Sequence, residues 1–169
     1  MTNEQNYFLQ TGGIFACSRQ EYNIATVIGV GVAVCLCDPF AKVGGVSHFV
    51  LPKKTWIKKS DRQKYMSQYG ENSIPHLLNF LYKMGATKEN INAHIVGGCK
   101  PPRELSRAKD IGKRNVDMAR KFLKRNKINV VSEDIQGLWG RKILFNPRNG
   151  QIIVYKLPNI RLADWGYCP

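Results

Sequence analysis

Apolar residues are spread unevenly along this chain, and their spacing predicts most of its elements. From Ile24 to Cys37 they follow one another without helical period and are rich in Val and Ile, which predicts one or two buried strands. Ala25, Gly29 and Gly31 break that run with small residues, the mark of close backbone approach or a tight loop inside it. Asp38-Pro39 ends the run in a turn, and Gly45 to Leu51 predicts the next strand. Glu71 to Met84 has a helical period instead: Ile74, Leu77, Leu78, Leu81 and Tyr82 fall on one face, with Gly85 as the C-cap. A second helix is predicted from about Asn115 to Asn126, with Val116, Ala119, Phe122 and Leu123 inward and its lysines and arginines outward. Shorter strands are predicted at 14–17, 91–96 and 128–133, and a hairpin pairs 142–146 with 151–156 across Pro147-Arg148-Asn149-Gly150.

Strands outnumber helices and their order is mixed, not alternating. That predicts a single α+β domain, with mixed or antiparallel β-sheets covered by two or three helices. Residues 1–12 are polar and expected to be loose, apart from a docking segment Tyr7-Phe8-Leu9; residues 13–156 form the domain. Residues 157–169 read as a separate tail in which Trp165 and Tyr167 are packing groups. Gly29-x-Gly31 runs on into a strand, so a dinucleotide fingerprint is poorly supported, and no Walker A lysine motif is present.

Composition changes this picture in one respect. The 169 residues carry 26 basic and 12 acidic side chains, a net charge of +14, which favours anionic partners: nucleic acid, an acidic membrane face or an acidic protein. The lysines of 53–64 and 100–127 come with no nucleic-acid-binding motif, so they read as a solvated face and no nucleic acid is expected. Five cysteines (Cys17, Cys35, Cys37, Cys99 and Cys168) are an odd number without a CxxC pair, which argues against a disulfide framework or a zinc site. Reduced thiols, an N-terminus without signal-peptide features and apolar runs too short to span a bilayer predict a soluble cytoplasmic protein. No cofactor or metal is expected.

His48 sits in Gly44-Gly45-Val46-Ser47-His48-Phe49-Val50-Leu51-Pro52, at the end of a buried strand in a glycine-rich setting, where a lone histidine by itself reads as satisfied at a strand end. His76 reads as a helix-surface residue and His94 as a strand residue. That segment, with Val32-Ala33-Val34-Cys35 and Asp38-Pro39 before it, is followed by Tyr69-Gly70, Gly85-Ala86, Gly97-Gly98 and Ile111-Gly112-Lys113-Arg114-Asn115. Asp134, Gly137, Gly140-Arg141-Lys142 and Gly150 complete a series that resembles the CheD family of chemoreceptor glutamine deamidases over residues 13–156.

The resemblance implies hydrolysis of receptor glutamine side chains to glutamate by a cysteine hydrolase. In such an enzyme a thiolate attacks the amide, a histidine moves the proton, an upstream threonine assists, and backbone N–H groups of a glycine-rich loop hold the oxyanion. It implies His48 as base, Thr26 as the assisting threonine displaced by one residue, and Gly97, Gly98, Arg114 and Asn115 as substrate-binding residues. The family's nucleophile, however, falls at Gly31, preceded by Ile28-Gly29-Val30 instead of Gly-Ser. Cys35 would lie about 13 Å along the strand from Gly31. Cys99, beside the Gly97-Gly98 loop, is the candidate substitute, although each thiol reads more simply as inert and buried. The sequence therefore predicts a CheD-like deamidase lacking its nucleophile. The alternative is a non-catalytic module binding receptors or a CheC-type phosphatase, with nucleic-acid binding third. Implied partners are the cytoplasmic helices of chemoreceptors, through which the protein would be peripheral to the membrane.

Overall fold

Strand β4 (Val32–Asp38) is buried along its whole length, and it shows how the layers stack. Its Val32, Val34 and Leu36 pack with residues of two helices, whereas Ala33, Cys35 and Cys37 pack against a second sheet. A strand covered on both faces has no polar alternation, which is why this run is continuously apolar. The computed structural model describes residues 5–18, 22–53, 66–101, 110–161 and 164, and it shows a helix layer, an inner sheet and an outer sheet.

The inner sheet has the order β2 (Ile14–Ser18), β5 (Val43–Phe49), β4, β6 (Asn92–Gly97), β7 (Asn129–Ile135). It is antiparallel except for the parallel pair β6–β7. The outer sheet has the order β1 (Gln5–Phe8), β3 (Tyr22–Ile28), β8 (Gly140–Phe145), β9 (Ile152–Leu157), with β1 parallel to β3. The fold is α+β with mixed sheets, as the pattern predicted, and the long apolar run is two strands in different sheets.

Helices α1 (Gly70–Lys83) and α2 (Ile111–Arg125) cover the inner sheet. Helix α1 buries Ile74, Leu77, Leu78 and Leu81, but Tyr82, predicted on the same face, is exposed. At 100° per residue it lies some 80° round from Ile74, at the edge of the buried stripe. Gly45 lets α1 approach: a Cβ there would meet Leu77 Cδ1 at 2.7 Å as well as the carbonyl of Phe15. Helix α2 begins at Ile111, a turn before the predicted start, with Gly112 of its first turn in close contact with the chain at Gly98.

At the N-terminus, residues expected to be loose form β1. Tyr7 stacks on Phe15 at 3.8 Å, and Leu9 is buried with its N–H donating to Ala25 O. The basic segments 54–64 and 102–109, the aromatic residues Trp165 and Tyr167, and Cys168 lie outside the described residues. Among the described residues no helix is long and apolar enough to cross a membrane.

Candidate active site

Alternation along two facing strands brings the key side chains together. On β5, Val43 and Phe49 point to the helices, so Val46 and His48 point to the outer sheet. On β3, Ile24 and Ile28 point inward, and Thr26 between them does the same. Across the gap Thr26 Oγ1 lies 3.0 Å from His48 Nδ1, and both side chains are buried. Burial holds the His48 pKa down to about 4, so the imidazole is neutral near pH 7. In the tautomer whose Nδ1–H donates to Thr26, the lone pair on Nε2 is free to take a proton.

Three residues, Gly29-Val30-Gly31, carry the chain from the outer sheet into β4. A Cβ built on Gly31 would sit 3.0 Å from His48 Nε2 and 2.7 Å from Phe49 O. The position that resemblance assigns to the nucleophile therefore faces the proton-accepting nitrogen. Gly31 has no side chain to offer it, and Nε2 is buried without a hydrogen-bond partner. The contact with Phe49 O also means that a side chain at this position requires backbone movement.

The predicted substrate residues lie around this loop. Gly98 N–H donates to Gly31 O at 2.7 Å, and Cys99 N–H donates to Gly29 O at 3.1 Å. Gly97 and Gly98 have φ of +115° and +70°, and a Cβ on Gly97 would come within 2.5 Å of Gly31 O, so only glycine fits there. Asn115, buried on α2, donates through Nδ2 to Val30 O at 3.1 Å and to Val50 O at 2.9 Å. It ties the loop to the segment after β5. Arg114 is exposed on the helix beside it. In this arrangement the Gly98 and Cys99 N–H groups are already committed to the loop, not directed to an oxyanion. Asn115→Ala removes both donated bonds and is expected to cost about 2 kcal/mol, read as a lower urea midpoint with unchanged slope.

None of the described cysteines partners His48. The Cys99 thiol donates to Trp139 O at 2.7 Å and receives an N–H from Arg141 at 2.8 Å. Burial raises its pKa, against the lowering effect of Arg141. Cys37 donates to Pro147 O, and burial together with Asp38 pushes its pKa up to about 12. Burial raises Cys35 and Cys17 as well. Thiols held protonated are poor nucleophiles. His76 is exposed on α1, and His94 on β6 meets Ser132 Oγ at 2.7 Å.

Sequence reasoning missed the network that fixes Cys99. Arg141 is buried on β8 and pairs with Asp134 at 2.8 Å, while its Nη1 also donates to the carbonyls of Gln136 and Trp139. Its signals were Asp134 and Gly140-Arg141-Lys142 in the family-like series, which carried no structural role, and the hairpin pattern began only at Lys142.

Two comparisons bear on this geometry. A family model described as CheD chemotactic sensory transduction matches residues 50–156, more than half of the chain. The chain belongs to the CheD family. A "Probable chemoreceptor glutamine deamidase CheD 1" from Burkholderia thailandensis is 36% identical over 143 residues, 85% of this chain and 60% of that one. A CheD relative from Methylobacillus flagellatus with a similar name is 34% identical over 145 residues, 86% of this chain and 71% of that one. The chain thus spans about 60% of the length of the Burkholderia CheD proteins it matches. Among solved structures, a Neisseria meningitidis protein of the DUF152 family covers 79% of this chain and 64% of its own at TM-score 0.45 and 10% identity, too slight a likeness to carry an argument.

Proposed function

We propose that this CheD-family protein acts in chemotaxis by binding a glutamine-bearing segment of a chemoreceptor and leaves the amide intact. The observation that carries this reading is at Gly31, where a Cβ would stand 3.0 Å from His48 Nε2. In a cysteine hydrolase, a thiol at this place gives its proton to Nε2, the thiolate attacks the amide carbon, and the histidine returns the proton to departing ammonia. Water then hydrolyses the thioester. Glycine forms no C–S bond, so that route is closed while Thr26 and His48 keep their hydrogen bond.

An enzyme working through Cys99 is the competing reading. The partners of that thiol, Trp139 O and Arg141, argue against it. The cellular setting proposed with this reading has cytoplasmic helices of chemoreceptors as first partner, supported by the names of the relatives, a CheC-type phosphatase as second, and a cytoplasmic location peripheral to the membrane through the receptor.

Fluorescence anisotropy of a labelled chemoreceptor cytoplasmic fragment, in its Gln and Glu forms, tests the binding claim. Saturable binding of the Gln form is expected, with the bound fragment recovered as Gln. Folded protein that binds neither form contradicts the proposal.

A further inference from the structure

Helix α2 turns a row of unpaired cations outward. Its buried side is formed by Gly112, Asn115, Val116, Ala119 and Leu123. At 100° per residue the opposite side carries Arg114, Lys121 and Arg125 within about 40° of one another, a straight row about 16 Å long. Lys124 stands about 60° round the helix from Lys121. All four are exposed, and none has a side-chain hydrogen bond or ion pair among the described residues. The other exposed cations of the helix, Lys113 and Arg120, are paired with Asp117 and Glu133. Paired cations thus lie on the flanks, and unpaired ones along the crest.

Width and charge select the occupant. The neighbouring helix α1 exposes Glu71, His76, Asn79, Phe80, Tyr82 and Lys83, one cation among six residues. On the other flank, Glu133 of β7 neutralises Arg120. The positive field is therefore a stripe one helix wide, whereas an anionic bilayer would meet α1 and α2 together. No exposed aromatic side chain stands among the cations of α2 to stack on a base. A second copy has no matching row of carboxylates among its described residues. Asp38, Asp117, Glu133, Asp134 and Asp164 are bound to groups of their own chain, Glu71 is engaged, and Glu89 and Asp110 lie on different segments. We infer that α2 binds an acidic α-helix of another protein, laid antiparallel along it. Carboxylates at i, i+4 and i+11 of that helix face Arg125, Lys121 and Arg114 in turn. The antiparallel course also sets the two helix dipoles favourably. This surface is separate from the His48 site, which lies between the sheets, and does not depend on the reading of that site.

The probes are two labelled helical peptides of equal length, composition and charge, titrated with the full chain by fluorescence anisotropy at about 0.15 M salt. One has glutamates at i, i+4 and i+11; the other has the same glutamates spread round the helix. The aligned peptide should bind at least about fivefold more tightly. Arg114→Glu with Lys121→Glu and Arg125→Glu should weaken it at least about tenfold, and the corresponding alanine triple variant at least about threefold with helix content unchanged. Lys83→Glu with Lys88→Glu and Lys156→Glu, the same charge change on exposed residues elsewhere, should leave its affinity within about twofold. Equal binding of the two peptides, or equal loss in the two glutamate variants, would overturn the assignment. So would anionic vesicles or a random DNA duplex held through Arg114, Lys121 and Arg125 more tightly than the aligned peptide.

Discussion

Replacing Arg141 with methionine is expected to lower the folding free energy by about 2–3 kcal/mol, the order expected when charge-assisted hydrogen bonds to a partly exposed carboxylate and to backbone carbonyls are lost. Arg141 is only 4% exposed, and its guanidinium is bound to Asp134, Cys99 Sγ and the carbonyls of Gln136 and Trp139. Without it the Asp134 carboxylate loses its countercharge, and the Gln136 and Trp139 carbonyls lose a donor. Methionine fills part of the volume but supplies no N–H. Chemical denaturation of the variant checks this, and a loss below about 1 kcal/mol would show the network to be of little consequence. Arg141→Met with Asp134→Asn should cost less than the sum of the single changes, because the two groups act as a pair.

Acid should destabilise the protein through His48. The buried imidazole has a pKa of about 4, below the ordinary 6.5. As pH falls below 6.5 the unfolded chain takes up this proton and the folded chain does not, so stability declines until about pH 4, where the folded form also binds it. A difference of this size corresponds to on the order of 3 kcal/mol across the window. Burial lowers His94 too and adds to the same slope. Folding free energies of wild type and His48→Gln measured from pH 7.5 to pH 4 separate the two. The variant should have a flatter profile, retaining the His94 share. Parallel profiles would mean that His48 is not held neutral by burial.

Much of this molecule could be read from period alone. The apolar stripe of α1, the strands within Ile24 to Cys37 and the late hairpin all depend on local spacing, which burial on one or two faces imposes directly. Tyr82 lies at the edge of the buried stripe, and the start of α2 depends on tertiary context that local spacing does not carry, such as the contact of Gly112 with the chain at Gly98. In the site, the resemblance grouped His48, Thr26 and the Gly31 position, but spacing alone did not show how they meet. That arises from two strands of different sheets facing each other. Asn115 read as a substrate contact, and its two backbone acceptors, 65 and 85 residues away, were invisible to any local pattern. The Arg141 network was hidden for the same reason, since its groups converge from Cys99, Asp134 and the turn before β8.

The proposal that Gly31, facing His48, leaves this protein unable to hydrolyse glutamine is open to mass spectrometry of a receptor fragment. Incubation of the purified protein with a chemoreceptor cytoplasmic fragment should leave every glutamine as amide, with no ammonia above the rate of fragment alone. Time-dependent conversion to glutamate by the wild-type protein, lost in His48→Gln or Cys99→Ala, would contradict the claim and identify the residue that carries the chemistry.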